Sequence, residues 1–251
     1  MDAHASEIGS DDVSVAGFQL VRCQLVIFTP DEEVSGAKII RELLTRPNWS
    51  RHFDAEPIVL PSAPGVPREL PKVILRSADQ AWRCDVSSET VAITWEPPET
   101  EPSTQLSTIV GQITPFLNEY RDALRARVAR LAAVVSRFHR HPSPGNYLAR
   151  HFCKPEWLIA PFNRPESFEL HAHKRYAFSS DISVNSWVRN KTAVLAQRAT
   201  PIILVEQDLN TPVEDASERN FAVHDIDNFF RRVISELDTI LYLYYPAGQH
   251  A

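Results

Sequence analysis

With 251 residues, 43% of them hydrophobic, and a formal net charge of −6, the chain is long enough to bury a full core, as one large domain or two fused halves. No apolar run approaches the ~20 residues of a membrane helix. Its seven glycines form neither the dinucleotide-binding nor the P-loop pattern, which argues against a glycine-rich phosphate cradle.

The charge is segregated. Residues 127–198 carry twelve Lys or Arg against four acids, whereas residues 199–251 carry three against nine. A basic block therefore lies inside an acidic protein. Cys23, Cys84 and Cys153 are odd in number and widely spaced, with no CxxC pair. This pattern predicts reduced, buried thiols in a cytoplasmic protein and argues against a zinc site of the usual kind.

In chain order, Met1 to Asp12 is acidic and lacks the basic and apolar regions of a signal peptide. A disordered tail is expected over residues 1–16. Phe18–Phe28 predicts a strand with Val21, Cys23, Leu25 and Ile27 on one face. Thr29-Pro30-Asp31-Glu32 predicts a helix start capped by Thr29. That helix carries Val34, Ala37, Ile40, Leu43 and Leu44 and ends at Pro47. A short strand at 58–60 and a Pro-rich loop at 61–71 follow. The strands Lys72–Ser77, Ala81–Val86 and Thr90–Trp95 then form a meander joined by polar turns. After the prolines at 97–102, a long helix capped by Ser103 carries Leu106, Ile109, Val110, Ile113, Phe116, Leu117, Tyr120 and Leu124 on one face. Pro115 predicts a kink near Gly111.

The second half starts over at residue 127. It has a strand at Val128–Arg140, a helix at Pro144–Phe152 and a short strand at Trp157–Ala160. Three longer strands follow at Phe168–Phe178, Ile182–Asn190 and Ile202–Leu209. The final helix, within Phe221–Tyr245, carries Ile226, Phe229, Phe230, Val233, Ile234, Leu237, Ile240 and Leu241 at helical spacing.

The expected fold is α+β: a curved antiparallel sheet made of two β-α-β4-α halves, residues 17–126 and 127–246, backed on one face by the two long helices. A doubled β-α-β4-α order is similar to the TATA-box-binding-protein fold, an architectural resemblance that no motif accompanies and that implies no function. Separately, the strand Ile202-Ile203-Leu204-Val205-Glu206-Gln207-Asp208 and the aromatic helix ending in Leu241-Tyr242 resemble a sporadically distributed family of uncharacterised bacterial proteins.

The strand at 168–178 alternates cleanly. Glu169, His171, His173 and Arg175 fall opposite Phe168, Leu170, Ala172, Tyr176 and Phe178, the signature of a sheet with one open face. The next strand sets Ser183, Asn185, Trp187, Arg189 and Lys191 outward, and Arg137, His139 and His141 share one face of the long strand before them. Three readings follow. The face is merely solvated; or it binds an anionic partner, an acidic protein or nucleic acid, through His139, His141, His171, His173, Arg175, Trp187, Arg189 and Lys191; or it is a metal or catalytic site.

For the metal reading the candidates are His171 and His173 with Glu206 and Asp208, because the i, i+2 spacing aims two ligands the same way from a strand. Glu206 and Asp208, however, share parity with Ile202 and Leu204, which are expected to face inward. A Cys153–His151 pair is disfavoured because residues two apart on a helix diverge. The tyrosines at 242, 244 and 245 are expected to pack or to form an interface edge. The first-choice function is non-enzymatic binding with no cofactor, with a protein as partner, a second copy included, and nucleic acid as the further option. The alternative is an enzyme built on the paired histidines.

Overall fold

The computed structural model describes residues 13–30, 34–60, 67–98, 104–161, 163–195 and 199–246. The chain folds as β1 (Gln19–Phe28), α1 (Gly36–Leu44), α2 (Pro47–His52), β2 (Ile58–Val59), β3 (Val73–Arg76), β4 (Trp82–Val86), β5 (Thr90–Trp95) and α3 (Leu106–Leu124). It continues through β6 (Arg130–Arg140), α4 (Pro144–Phe152), β7 (Glu169–Ala177), β8 (Ser183–Leu195), β9 (Thr200–Asn210) and α5 (Val223–Tyr244). All nine described strands belong to one sheet of order β2-β3-β4-β5-β1-β6-β9-β8-β7, and every neighbouring pair is antiparallel. The protein is therefore α+β.

Alternation along the strands decides which face closes. Cys23, Leu25 and Ile27 of β1, Leu131, Ala133 and Val135 of β6, and Val205 and Leu209 of β9 are fully buried. Against this face lie Ile109, Ile113 and Leu117 of α3 and Ile226, Phe229, Phe230 and Val233 of α5, in one continuous core. α5 starts without a side-chain acceptor at its cap. Instead the Asp225 carboxylate accepts the Ala222 N–H at 2.9 Å, satisfying one free donor of the first turn.

Several boundaries differ from those expected. The cap of α1 is Ser35, whose Oγ accepts the Lys38 N–H at 3.3 Å. Thr29 instead extends the sheet, donating its N–H to Glu89 O at 2.7 Å. α1 ends at Leu44 with Thr45 as its C-cap, short of the expected Pro47, which instead opens α2 as its first residue, where a missing N–H costs nothing. Pro115 lies within α3, which continues on both sides of it, and Ser103 lies outside the described residues; the helix starts after Gln105.

The strand expected at Trp157–Ala160 is absent. Its place is taken by a single 3-10 turn, Pro155–Trp157, so the second run holds three strands after α4 rather than four. Prolines at 155 and 161 each remove a ladder donor from this stretch. Of the tail expected over 1–16, residues 1–12 lie outside the described residues. Val13 is buried and Val15–Gly17 form a 3-10 turn, because Val13 and Phe18 pack with Leu148, Val205, Leu241 and Tyr245.

That second cluster is closed by α4. A Cβ on Gly145 would stand 2.5 Å from both the Pro165 and the Glu166 carbonyl oxygens, so the following loop crosses α4 at backbone contact. Gly145→Ala is expected to lower the unfolding free energy by about 1–3 kcal/mol, as overpacking against backbone does. An unchanged urea midpoint would show that the loop lifts off α4 without cost.

Candidate functional site

The open face of β6, β9, β8 and β7 is ordered by register into rows that cross the strands. One row runs Val134–Asp208–Trp187–His173 and the next Ser136–Glu206–Arg189–His171, with Lys191 opposite Glu169 beyond it. Val134, His171, Trp187, Arg189, Glu206 and Asp208 line a shallow depression of about 430 Å³ in the middle of this surface.

Glu206 and Asp208 thus lie on the open face, contrary to the inward placement that parity with Ile202 and Leu204 suggested. Ile203, Val205, Gln207 and Leu209 turn toward the helices instead. Residues 202–205 are apolar at both parities, so alternation there is blind. The polar Gln207 holds the inner register: its amide donates to Leu237 O at 2.8 Å and its Oε1 accepts from buried Arg137 at 2.6 Å.

Most of the cations expected to meet an anionic partner are engaged within the protein. Lys191 Nζ is 2.6 Å from Glu206 Oε2, and Arg189 bridges Glu206 at 3.6 Å and Glu169 at 3.3 Å. His171 Nε2 hydrogen-bonds Glu169 at 2.7 Å, and this bond is the largest cause holding the Glu169 carboxyl below its usual range. Arg175 forms a two-pronged pair with Glu214, both contacts at 3.2 Å. The Glu214 contact lay beyond sequence reasoning, since residue 214 sits in a loop that pattern cannot place on a face.

Trp187 is different. It is 46% exposed, and its ring stacks on His173 with centroids 4.0 Å apart and planes within 18°. Its register partner, Asp208, accepts a hydrogen bond from Asn210 at 2.9 Å and has no ion-pair partner among the described residues. Burial pushes the Asp208 carboxyl above its usual range, opposed by the Asn210 bond and by Arg130.

Two of the candidate binding residues lie elsewhere. Arg137, His139 and His141 do share a parity, but it is the closed one. Arg137 is buried, His139 packs edge-on to Phe18 at 5.4 Å, and His141 is buried beside Tyr147 at 4.9 Å, accepting the Ser143 N–H. His139 therefore packs against the N-terminal turn and His141 against α4, and neither takes part in the open face. His151 is likewise structural: it stacks between Tyr147 and Tyr245 and bonds Tyr244 O at 2.6 Å.

The metal candidates do not converge either. β8 lies between β7 and β9, so His171 and His173 stand two strand spacings, about 9–10 Å, from Glu206 and Asp208. Arg189 and Trp187 occupy the intervening positions. Among the described residues no three His, Cys, Asp or Glu side chains group as metal ligands. Cys23 and Cys84 are buried free thiols, and burial pushes the Cys23 thiol up to about 12, which leaves it protonated and unreactive. No described helix is long and apolar enough to cross a membrane.

Comparison with known proteins adds little to this geometry. No family model matches the chain, and no curated protein matches it in sequence. Among solved structures, the chain is similar to the di-domain ARO/CYC protein BexL from the BE-7585A biosynthetic pathway at 11% identity, over 92% of this chain and 99% of that one. The TM-score of that likeness is 0.21, at which it carries no argument about fold or activity.

Proposed function

We propose that this is a non-enzymatic binding protein that docks a protein partner on the open sheet face, in a cytoplasmic setting. The observation that carries the reading is Trp187, half exposed on the open face of β8 and held in place by its stack on His173. An indole whose rotamer is fixed by a neighbour offers a large contact area at little entropic cost, and Trp and Arg are the residue types that dominate binding hot spots. The depression beside it has the mixed charge of a protein-binding surface, whereas a phosphate-tracking groove needs cations free to exchange for counterions. The buried thiols support the reducing setting.

A duplicated architecture of the TATA-box-binding-protein kind belongs to the same proposal. It is supported by the strand order read outward from the central β1–β6 pair: each of these strands is flanked by the last strand of its own run, β5 or β9.

The test is affinity capture from native extract with quantitative mass spectrometry, comparing wild type with the double variant Trp187→Ala, His173→Ala. Loss of the same specific protein from the variant, with its melting temperature within a few degrees of wild type, is the expected result; an unchanged capture profile would sink the reading. A steep fall of binding with salt, cancelled by nuclease treatment, would point to nucleic acid instead. Recovery of only the chain itself, with sedimentation of a dimer, would make the partner a second copy.

A further inference from the structure

The charges around Trp187 are nearly balanced, and one carboxylate among them stands apart. Glu169, Glu206 and Asp208 supply three carboxylates to the adjoining rows, against Arg189 and Lys191 there and Arg130, which acts on Asp208 from β6. Arg189 and Lys191 are paired with Glu169 and Glu206, whereas Asp208 forms no ion pair among the described residues and feels Arg130 only at longer range. Asp208 has only the Asn210 amide as hydrogen-bond donor among the described residues.

Geometry adds an aromatic wall. Trp187 lies between His173 on β7 and Asp208 on β9 in one cross-strand row. Since His173 covers one face of the indole, the other face is turned toward β9 and Asp208. A flat cation entering the depression would stack on that face and present its N–H edge to the carboxylate. Stacking on an indole and paired donors to a carboxylate are the two interactions a guanidinium makes better than an ammonium.

We infer that the Trp187–Asp208 depression is a receptor for an arginine side chain presented by the partner protein. The assignment rests on the docking reading above and gives it a chemistry, reversing the sign of the partner that the basic sequence block suggested. The partly buried Asp208 carboxylate has lost water and has only Arg130, beyond ion-pair distance, to offset that loss, so a guanidinium in direct contact supplies what the site lacks. Val134 provides an apolar floor for the methylene stem.

The experiment titrates the ¹⁵N-labelled full chain with acetyl-Gly-Arg-Gly-amide and, separately, with its citrulline counterpart, which keeps the shape and loses the charge. The Trp187 indole resonance, identified by its loss in Trp187→Phe, is the reporter. The arginine peptide is expected to shift it saturably, with citrulline at least tenfold weaker and Asp208→Asn weakening the arginine peptide about tenfold, the worth of one charge-assisted hydrogen-bond pair. Equal response to arginine and citrulline overturns the inference, as does an unaffected Asp208→Asn. So does a response to acetyl-Gly-Asp-Gly-amide or to a single-stranded oligonucleotide in place of the arginine peptide. If Asp208→Asn does not fold, the citrulline comparison on the wild-type chain decides alone. The two readings fail separately. Partner capture lost in the Trp187/His173 variant but kept in Asp208→Asn leaves docking standing and removes the arginine. Capture kept in both removes docking.

Discussion

Phe230→Ala is expected to lower the free energy of unfolding by about 3–5 kcal/mol, the cost of removing a large aromatic side chain from a packed core. Phe230 is fully buried on α5, in edge contact with Phe229 at 5.3 Å, and Phe229 in turn tilts onto Phe178 at the same distance. The cavity would open where α5 meets both the sheet and α3, the seam that joins the two long helices to one core. A domain of ordinary stability has about 5–15 kcal/mol in hand, so this single change takes a large share of it. Urea denaturation followed by far-ultraviolet circular dichroism reads the effect as a lower midpoint at unchanged slope. Arg231→Ala, one residue along on the exposed face of the same helix, should stay within about 0.5 kcal/mol. A Phe230→Ala cost below about 1 kcal/mol would mean that α5 does not seal the core.

The second large effect comes from a charge. Arg137 is 6% exposed, and its guanidinium donates to Gln207 Oε1 and to Asp238 Oδ1, each at 2.6 Å, tying β6 and β9 to α5. Burial already pulls its pKa below the usual arginine range, with Asp238 opposing that pull. Asp238→Ala leaves a cation in the core with one neutral partner. Breaking a buried pair in this way costs about 3–5 kcal/mol, reduced here to about 2–3 because water reaches the half-exposed Asp238 position. Arg137→Met should cost less, about 1 kcal/mol, since the Asp238 side chain, 57% exposed, rehydrates and only Gln207 loses a partner. The order of the two variants is the test. If Arg137→Met is the worse, the guanidinium contributes by packing and not as a paired charge.

The contrast between these two residues shows where sequence patterning works and where it stops. Phe230 is one of a set of apolar residues at helical spacing that begins at Ile226, and its burial follows from the period alone. Arg137 lies in a strand flanked by His139 and His141 at the same parity, and three polar residues at i, i+2, i+4 look like a solvated edge. Their placement depends on what packs on that face: α5 on Arg137, the N-terminal turn on His139 and α4 on His141. Glu206 and Asp208 err in the other direction. Their neighbours 202–205 are apolar at both parities, so only pairing with β6 and β8 decides which carboxylates reach the open face.

Local pattern is enough to read the elements that bury large apolar stripes: the meander β3–β5, α3, α5 and the alternating β7 and β8, with the open side of β7 and β8 carrying His171, His173, Arg175, Trp187, Arg189 and Lys191. These follow from local periodicity, because a period of two or 3.6 residues is fixed by backbone geometry before any tertiary contact exists. The charge balance of the site follows from strand pairing and not from local pattern. Net charge adds along the chain, but a site's potential depends on which carboxylates the sheet sets beside which cations. By placing β9 next to β8, the fold carries two acids from the acidic C-terminal segment into the basic block. Glu206 then neutralises Lys191 and pairs with Arg189, and Asp208 is left beside Trp187 without an ion pair among the described residues.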